Sequence, residues 1–299
     1  MVHKITAWFK KPHKSKAEQW IEAAIIILPI AFIIRTFGYG LYQVPSGSME
    51  TTMLVGERFI ADKFTVWFKP IERGDIISFN EPIYNYSTNK FKNWWQRYIW
   101  GPSNWTKRVI GIPGDHIQGK IEDGKPVVYR NGEKLDEPYV NKYPLIYVWD
   151  NFVPTQQDIY LGNCAVTPKS YDPAKPFDQQ PFYKINPLFV APDPQKPTLL
   201  QPDAPMPNGQ DVYDVHLGPN EYWVMGDNRK GSYDSRGWGK LDGTLIHGKI
   251  KYRLLSIDSY QQWSFLGLFN ESWLIFDLIR HPIEFWKKIR WDRCFQSVT

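Results

Sequence analysis

Ala23–Ile34 (AAIIILPIAFII) is an unbroken run of twelve uncharged, almost wholly apolar residues near the start of a 299-residue chain. Such a run must leave water, and where it goes constrains everything after it. Three structures accommodate it: a buried helix, the apolar part of a cleavable signal peptide, or a transmembrane anchor. The residues that follow, Arg35-Thr36-Phe37-Gly38-Tyr39, offer no pair of small residues at alternate positions for cleavage. Extended to Trp20–Leu41, the segment spans about 30 Å as a helix, enough to cross a bilayer. Glu22 and Arg35 then lie near its ends, within reach of the headgroups, with Trp20, Tyr39 and Tyr42 as interface residues. A transmembrane anchor over 20–41 is the expectation. Lys4, Lys10, Lys11, Lys14 and Lys16 precede it, which places the 1–19 segment in the cytoplasm and the rest outside.

The net charge of +5 is concentrated at the two ends, the second cluster being Lys287, Lys288, Arg290 and Arg293. Basic clusters suit nucleic acid or anionic lipid. Each here adjoins an apolar stretch, which favours lipid as the partner and speaks against nucleic acid. The 14 Trp, 17 Tyr and 17 Phe fit a lipid–water interface, or an aromatic β core. The two cysteines, Cys164 and Cys294, have no metal-binding spacing and either pair or stay free.

Beyond the anchor the pattern is of short strands and turns, so the fold class is mainly β. Arg58–Phe64, Asp75–Phe79, Arg108–Pro113, Glu221–Met225 and Lys249–Ile257 are rich in β-branched and aromatic residues. Asp123-Gly124 and Asn131-Gly132 mark two tight hairpins around Pro126–Tyr129. A β core over 42–140 and 220–262 is expected. It is interrupted by an aromatic insertion at 81–105, either a membrane-touching loop or a lid, and by an inserted cap subdomain at 141–219. Ala191–Pro207 is too rich in proline for a regular ladder. In the 263–299 tail, Trp273, Phe276, Ile279, Ile283, Trp286 and Ile289 recur at helical spacing over 272–293, with Pro282 kinking or splitting the helix. That helix either lies on anionic lipid or packs on its own domain.

Three polar segments stand out: Pro45-Ser46-Gly47-Ser48-Met49-Glu50, Thr106–Asp115 (TKRVIGIPGD) and Gly226–Gly239 (GDNRKGSYDSRGWG). Singly they read as a loop serine, a lysine reaching for solvent and a turn held by Asp–Arg pairs. In this order, with the anchor and the RGDIISF strand, they resemble the type I signal peptidases, which remove signal peptides from exported proteins. The likeness spans nearly the whole core but neither insertion nor the tail.

The resemblance implies a signal-peptidase-like antiparallel β core with an inserted second subdomain behind a transmembrane helix. It makes Ser48 the nucleophile and Lys107 the general base. The Ser46 hydroxyl and the Ser48 N–H become the oxyanion donors, Ser232 orients the lysine, and Asp234 and Arg236 brace the site. It implies no metal or organic cofactor. The partners are signal peptides and membrane lipid, at a cell membrane crossed once, with catalysis on the outer side. Two positions depart from the family pattern: Thr51, where proline is usual, and Lys230-Gly231, where Asp-Asn is frequent.

The chemistry is self-consistent. A serine hydroxyl needs a base to attack an amide. None of His3, His13, His116, His216, His247 and His281 has an evident triad partner, and a Ser–Lys pair performs the same task. Lysine titrates near 10.4 in water, so it must be desolvated to serve as base. Val109, Ile110, Ile112 and Met49 supply an apolar setting. A relative dedicated to one partner, a self-cleaving protein and an inactive anchored scaffold are the competing readings. Cleavage of a preprotein by wild type, Ser48→Ala and Lys107→Ala separates them.

Overall fold

The computed structural model describes residues 13–44, 46–50, 52–54, 57–98, 101–141, 205–206, 209–257, 282–287 and 289–298. Thr51, the Lys230 side chain, Cys164, almost all of the 141–219 insertion and the first half of the tail lie outside the described residues.

The apolar segment is helix α1, Lys16–Ile33, and it continues as a π-helical turn to Gly38. Ser15 caps it: its side chain accepts from the Glu18 N–H, and the Glu18 carboxylate accepts from the Ser15 N–H. Lys16–Gly38 is 23 residues long, and none of it is buried in the protein. At ~1.5 Å per residue it reaches across a ~30 Å hydrocarbon layer. The helical segment is displaced from the expected 20–41. Tyr39, Gly40 and Leu41 belong instead to strand β1 (Tyr39–Gln43), paired with β2 (Glu57–Asp62) in the register Tyr39↔Asp62. The Gly38 carbonyl holds that junction by accepting from the N–H groups of Lys63 and Phe64.

The other strands are β3 (Ile76–Asn80), β4 (Asn104–Gly111), β5 (His116–Glu122), β6 (Lys125–Arg130), β7 (Glu133–Lys134), β8 (Tyr213–His216), β9 (Glu221–Met225), β10 (Leu241–Asp242), β11 (Ile246–Ser256) and β12 (Gln296–Ser297). They form a large antiparallel sheet in the order β1-β2-β11-β3-β4-β9-β10, with β12 on β11, and a smaller one, β7-β6-β5-β8. Mainly antiparallel β was the expected class. The two hairpin turns are where the sequence puts them: Asp123-Gly124 and Asn131-Gly132 all have positive φ, the conformation a two-residue turn demands. Strand β8 shows that the end of the 141–219 insertion completes the smaller sheet. Ile110, Ile117, Val128, Leu217, Trp223 and Met225 form the core that joins the second sheet to β4 and β9.

Two elements differ from the sequence reading. The 81–105 insertion is not wholly loop: it contains helix α2, Lys90–Tyr98, started by the Asn89 side chain accepting from the N–H groups of Phe91 and Lys92. Of the helix expected over 272–293, residues 272–281 lie outside the described residues, and the described remainder is helical only in part. Its described helix is α3, Pro282–Lys287, and a proline in the first turn of a helix costs no hydrogen bond. A 3-10 turn, Trp291–Arg293, and β12 then return the chain to the large sheet.

This return closes on Glu57, which is fully buried. Its carboxylate accepts from Arg253 (3.0 Å), Arg293 (2.6 Å), the Ser256 hydroxyl (2.8 Å) and the Leu54 N–H (2.8 Å). Burial alone pushes the Glu57 pKa up, but the two guanidinium groups and the Leu54 bond outweigh it and hold the carboxyl below its usual range. Both arginines also donate to the Thr52 carbonyl. Arg293→Ala is therefore expected to lower stability by about 1.5–3 kcal/mol, the worth of a buried charged hydrogen bond. Urea unfolding in detergent measures it, and an unchanged midpoint would show the tail to be an appendage.

Candidate active site

Strand β1 leads from the anchor into the short 3-10 turn Gly47–Met49, in which Ser48 and Met49 are buried. Strand β4 carries Lys107 opposite Ile77, itself fully buried, and leaves the lysine only 5% exposed. The two segments meet where Lys107 Nζ donates to Ser48 Oγ over 2.7 Å. Burial lowers the Lys107 pKa to about 8; Asp234 and Asp227 oppose that shift, and Arg236 adds to it.

The turn is held from the far end of the chain. The Asn228 N–H donates to the Ser48 carbonyl and its side-chain amide to the Gly47 carbonyl, both at 3.1 Å. Gly226 lies alongside, and a β-carbon there would overlap both the Ser48 carbonyl and the Ser232 hydroxyl. Next to it, Asp227 accepts a bidentate pair of bonds from Arg108 (2.8 and 2.7 Å) and another from the Thr52 hydroxyl. Arg108 directly follows Lys107, and Thr52 lies four residues past Ser48. One buried carboxylate thus ties the nucleophile's segment to the base's strand. Arg108 also lies over the Tyr139 ring, 4.0 Å from its centroid.

The remaining expected residues fall as follows. Ser46 precedes the 3-10 turn, exposed and with no capping bond from its side chain. The Ser48 N–H lies in the first turn of that helical segment, where no intrahelical acceptor exists. Asp234 and Arg236 form a buried ion pair at 2.9 Å, and the Asp234 carboxylate also accepts from the Gly226 N–H. Burial pushes the Asp234 pKa up, but Arg236 more than offsets it and keeps the carboxyl ionised. Arg236 further donates to Asp211 and to the Arg229 carbonyl. The Ser232 hydroxyl is buried and makes no hydrogen bond among the described residues, so the expected bond to Lys107 is not formed.

Asn228, Asp227, Arg108 and Thr52 were not among the residues singled out. Their signal was weak: Arg108 stands directly beside Lys107, and Asp227 opens the polar run Asp227-Asn228-Arg229-Lys230, so neither stands out from its neighbours. Elsewhere, His116 bonds Asp214 and stacks on His216 in the smaller sheet, while His247 is half-buried against Tyr42. His116, Asp214 and His216 bring metal-ligating atoms within 4.8 Å of one another, but share no side chain with the Ser48–Lys107 site. A cavity of about 290 Å³ beneath the GDNR loop is lined by Leu135, Tyr213, Met225, Arg229 and Arg236, and by neither Ser48 nor Lys107.

Residues 17–255 match the family of signal peptidases, peptidase S26. The chain belongs to that family. As a signal peptidase of the S26 type it is a serine peptidase, a hydrolase. It is 30% identical over 258 residues to signal peptidase I of Buchnera aphidicola subsp. Schizaphis graminum, covering 78% of this chain and 74% of that one. It is 27% identical over 248 residues to signal peptidase IB of Staphylococcus aureus, covering 83% and 94%. Among solved structures, a signal peptidase I from Enterococcus faecalis V583 aligns with 60% of this chain and 97% of its own, at 19% identity and a TM-score of 0.27. The N-terminal helix of this S26 peptidase fits the place of a membrane anchor.

Proposed function

We propose that this S26 peptidase removes N-terminal signal peptides from exported preproteins by Ser–Lys catalysis at the outer face of a cell membrane. The observation that carries the reading is the buried 2.7 Å contact between Lys107 Nζ and Ser48 Oγ. Protonated, the amine donates to the hydroxyl. Neutral, it accepts the hydroxyl proton while Oγ attacks the scissile carbonyl. The Ser46 hydroxyl and the Ser48 N–H hold the oxyanion. The tetrahedral intermediate collapses, the leaving amine takes the proton from Lys107, and an ester to Ser48 remains. Lys107 then deprotonates the water that hydrolyses it. Asp234, Arg236 and Asn228 keep this geometry without touching the reacting atoms.

Location supports the substrate. Only Tyr39–Pro45 separate the end of the anchor from Ser46, so the site stands near the bilayer surface, where a signal peptide's cleavage site emerges. Strand β1 ends the order of the large sheet; among the described residues its outer edge is unpaired, and an extended peptide laid there would point its alternate small side chains one way. The lysines before α1 keep the N-terminus in the cytoplasm, and the chain crosses once.

The test is the pH dependence of kcat/KM on a preprotein in detergent. With the Lys107 pKa at about 8, activity should climb through mildly alkaline pH and level off above it. About a tenth of the lysine is neutral near pH 7. A profile flat across that range would remove Lys107 as the base.

A further inference from the structure

Helix α2 is inside out for a helix in water. Its inner face is polar: the Asn93 amide donates to the Ser87 carbonyl, and the Gln96 side-chain oxygen accepts from the Ser87 N–H. Arg97 lies over the Tyr86 ring and donates to the Thr244 hydroxyl, while its own carbonyl accepts from Asn80. Its aromatic residues, Phe91, Trp94, Trp95 and Tyr98, recur at steps of three and four on the opposite face. They are exposed and pack on one another as tilted ring pairs along the helix. A helix folding against its own core puts this face inward. Here three polar anchors hold it outward, with Lys90 and Lys92 exposed beside it.

The strand register says what lies against that face. Tyr39 pairs with Asp62 and Asp62 with Lys249 near the start of β11; Ile246, the first residue of β11, pairs with Phe79, and Asn80 at the end of β3 pairs with Asn104, so these strand ends lie along one edge of the large sheet. Helix α1 enters at that edge through Tyr39. The aromatic turn after β2, with Phe64, Trp67 and Phe68 exposed, is there too, and Trp67 contacts Phe37 of the π-helical turn, with ring centroids 6.5 Å apart. Helix α2 hangs from the same edge, between Asn80 and Asn104. Two aromatic surfaces therefore share the rim at which the apolar helix leaves the domain.

We infer that α2 is an interfacial foot, its Phe91–Trp94–Trp95–Tyr98 face lying in the headgroup and upper acyl region of an anionic bilayer. Amphipathic rings settle at that depth, and flanking lysines add attraction to anionic lipid. With α1 and the adjoining Phe64–Phe68 turn on one side and α2 on the other, the catalytic domain meets the membrane at two places along one rim. Two such contacts limit its tilt and so the height of Ser48 above the membrane. The inference rests on α1 being a membrane anchor.

The full-length protein, reconstituted into vesicles of phosphatidylcholine with phosphatidylglycerol, tests both. Spin labels are placed singly by Phe91→Cys, Trp95→Cys, Leu28→Cys and Glu133→Cys in a Cys164→Ser background; Cys294 is buried. Collision with oxygen, which concentrates in lipid, is compared with collision with a water-soluble nickel chelate. Labels at 91 and 95 should favour oxygen several-fold, at a depth of about 5–10 Å. The label at 28 should favour it more strongly, and the one at 133 should favour the chelate. Labels at 91 and 95 that behave like 133 overturn the inference, with the anchor intact. Labels there shielded from both reagents also overturn it, because protein then covers the face. A water-exposed label at 28 removes the anchor and the foot with it.

Discussion

Replacing Ser48 by alanine is expected to lower preprotein cleavage by about four orders of magnitude or more, because the oxygen that forms the ester is gone. Lys107→Met should do the same, since no other base is within reach of Ser48 among the described side chains. The two variants part company in stability. Lowering the Lys107 pKa from 10.5 to about 8 corresponds to a cost to the folded state of about 3 kcal/mol whenever the amine is protonated. The sign follows from which state prefers the neutral amine. Below about pH 8 the lysine is charged in both folded and unfolded chains, and folding bears the whole cost. As pH rises toward 10.5 the folded protein releases its proton first, and the cost fades. Lys107→Met, nearly isosteric and uncharged, should therefore be inactive yet more stable than wild type at pH 7, by up to about 3 kcal/mol, with the gain shrinking in alkali. Ser48→Ala should show no such pH-dependent gain. Thermal melts of both variants at several pH values read this out. A Met variant less stable than wild type at neutral pH would contradict the desolvated lysine on which the mechanism depends.

Features that depend on a few adjacent residues were legible in the sequence. Asp123-Gly124 and Asn131-Gly132 define their hairpins by local backbone preference alone. Ser48 and Lys107 were visible because each sits in a motif with a recognisable pattern, although nothing in either motif gives the 2.7 Å between them. Helix α2 was hidden for a physical reason: Trp, Phe and Tyr favour strands, and a helix with its apolar face outward gives the same spacing as a buried one. The signal that would have found it is Asn89 as N-cap followed by aromatics at 91, 94, 95 and 98. The Glu57 knot was illegible altogether. Its arginines lie 196 and 236 residues away, and a charged residue in a strand pattern reads as an exposed one until its partners are known. The same holds for the tail, whose helical spacing was real but whose fate was set by Arg293 and β12.

Asp227 is where fold and chemistry are least separable, and Asp227→Ala should be the most damaging change outside the reacting pair. The carboxylate is 1% exposed and its partner Arg108 3% exposed, so the substitution leaves a guanidinium buried without its counter-charge. Breaking a buried pair from one side costs about 3–5 kcal/mol. The Thr52 hydroxyl loses its acceptor in the same step, and with it a tie between the nucleophile's segment and the strand of Lys107. Asp227→Asn keeps the shape and one oxygen but not the charge, so it should fall between Ala and wild type in urea midpoint. A second substitution separates a charge effect from a packing effect. Arg108→Met combined with Asp227→Leu removes both ions, and should recover most of the stability lost by Asp227→Ala. It should not recover activity, because an apolar pair cannot hold Thr52 or keep the turn that Asn228 clasps in register with Lys107. If stability and cleavage return together, Asp227 serves only to neutralise Arg108. If stability returns alone, the buried carboxylate positions Ser48 against its base.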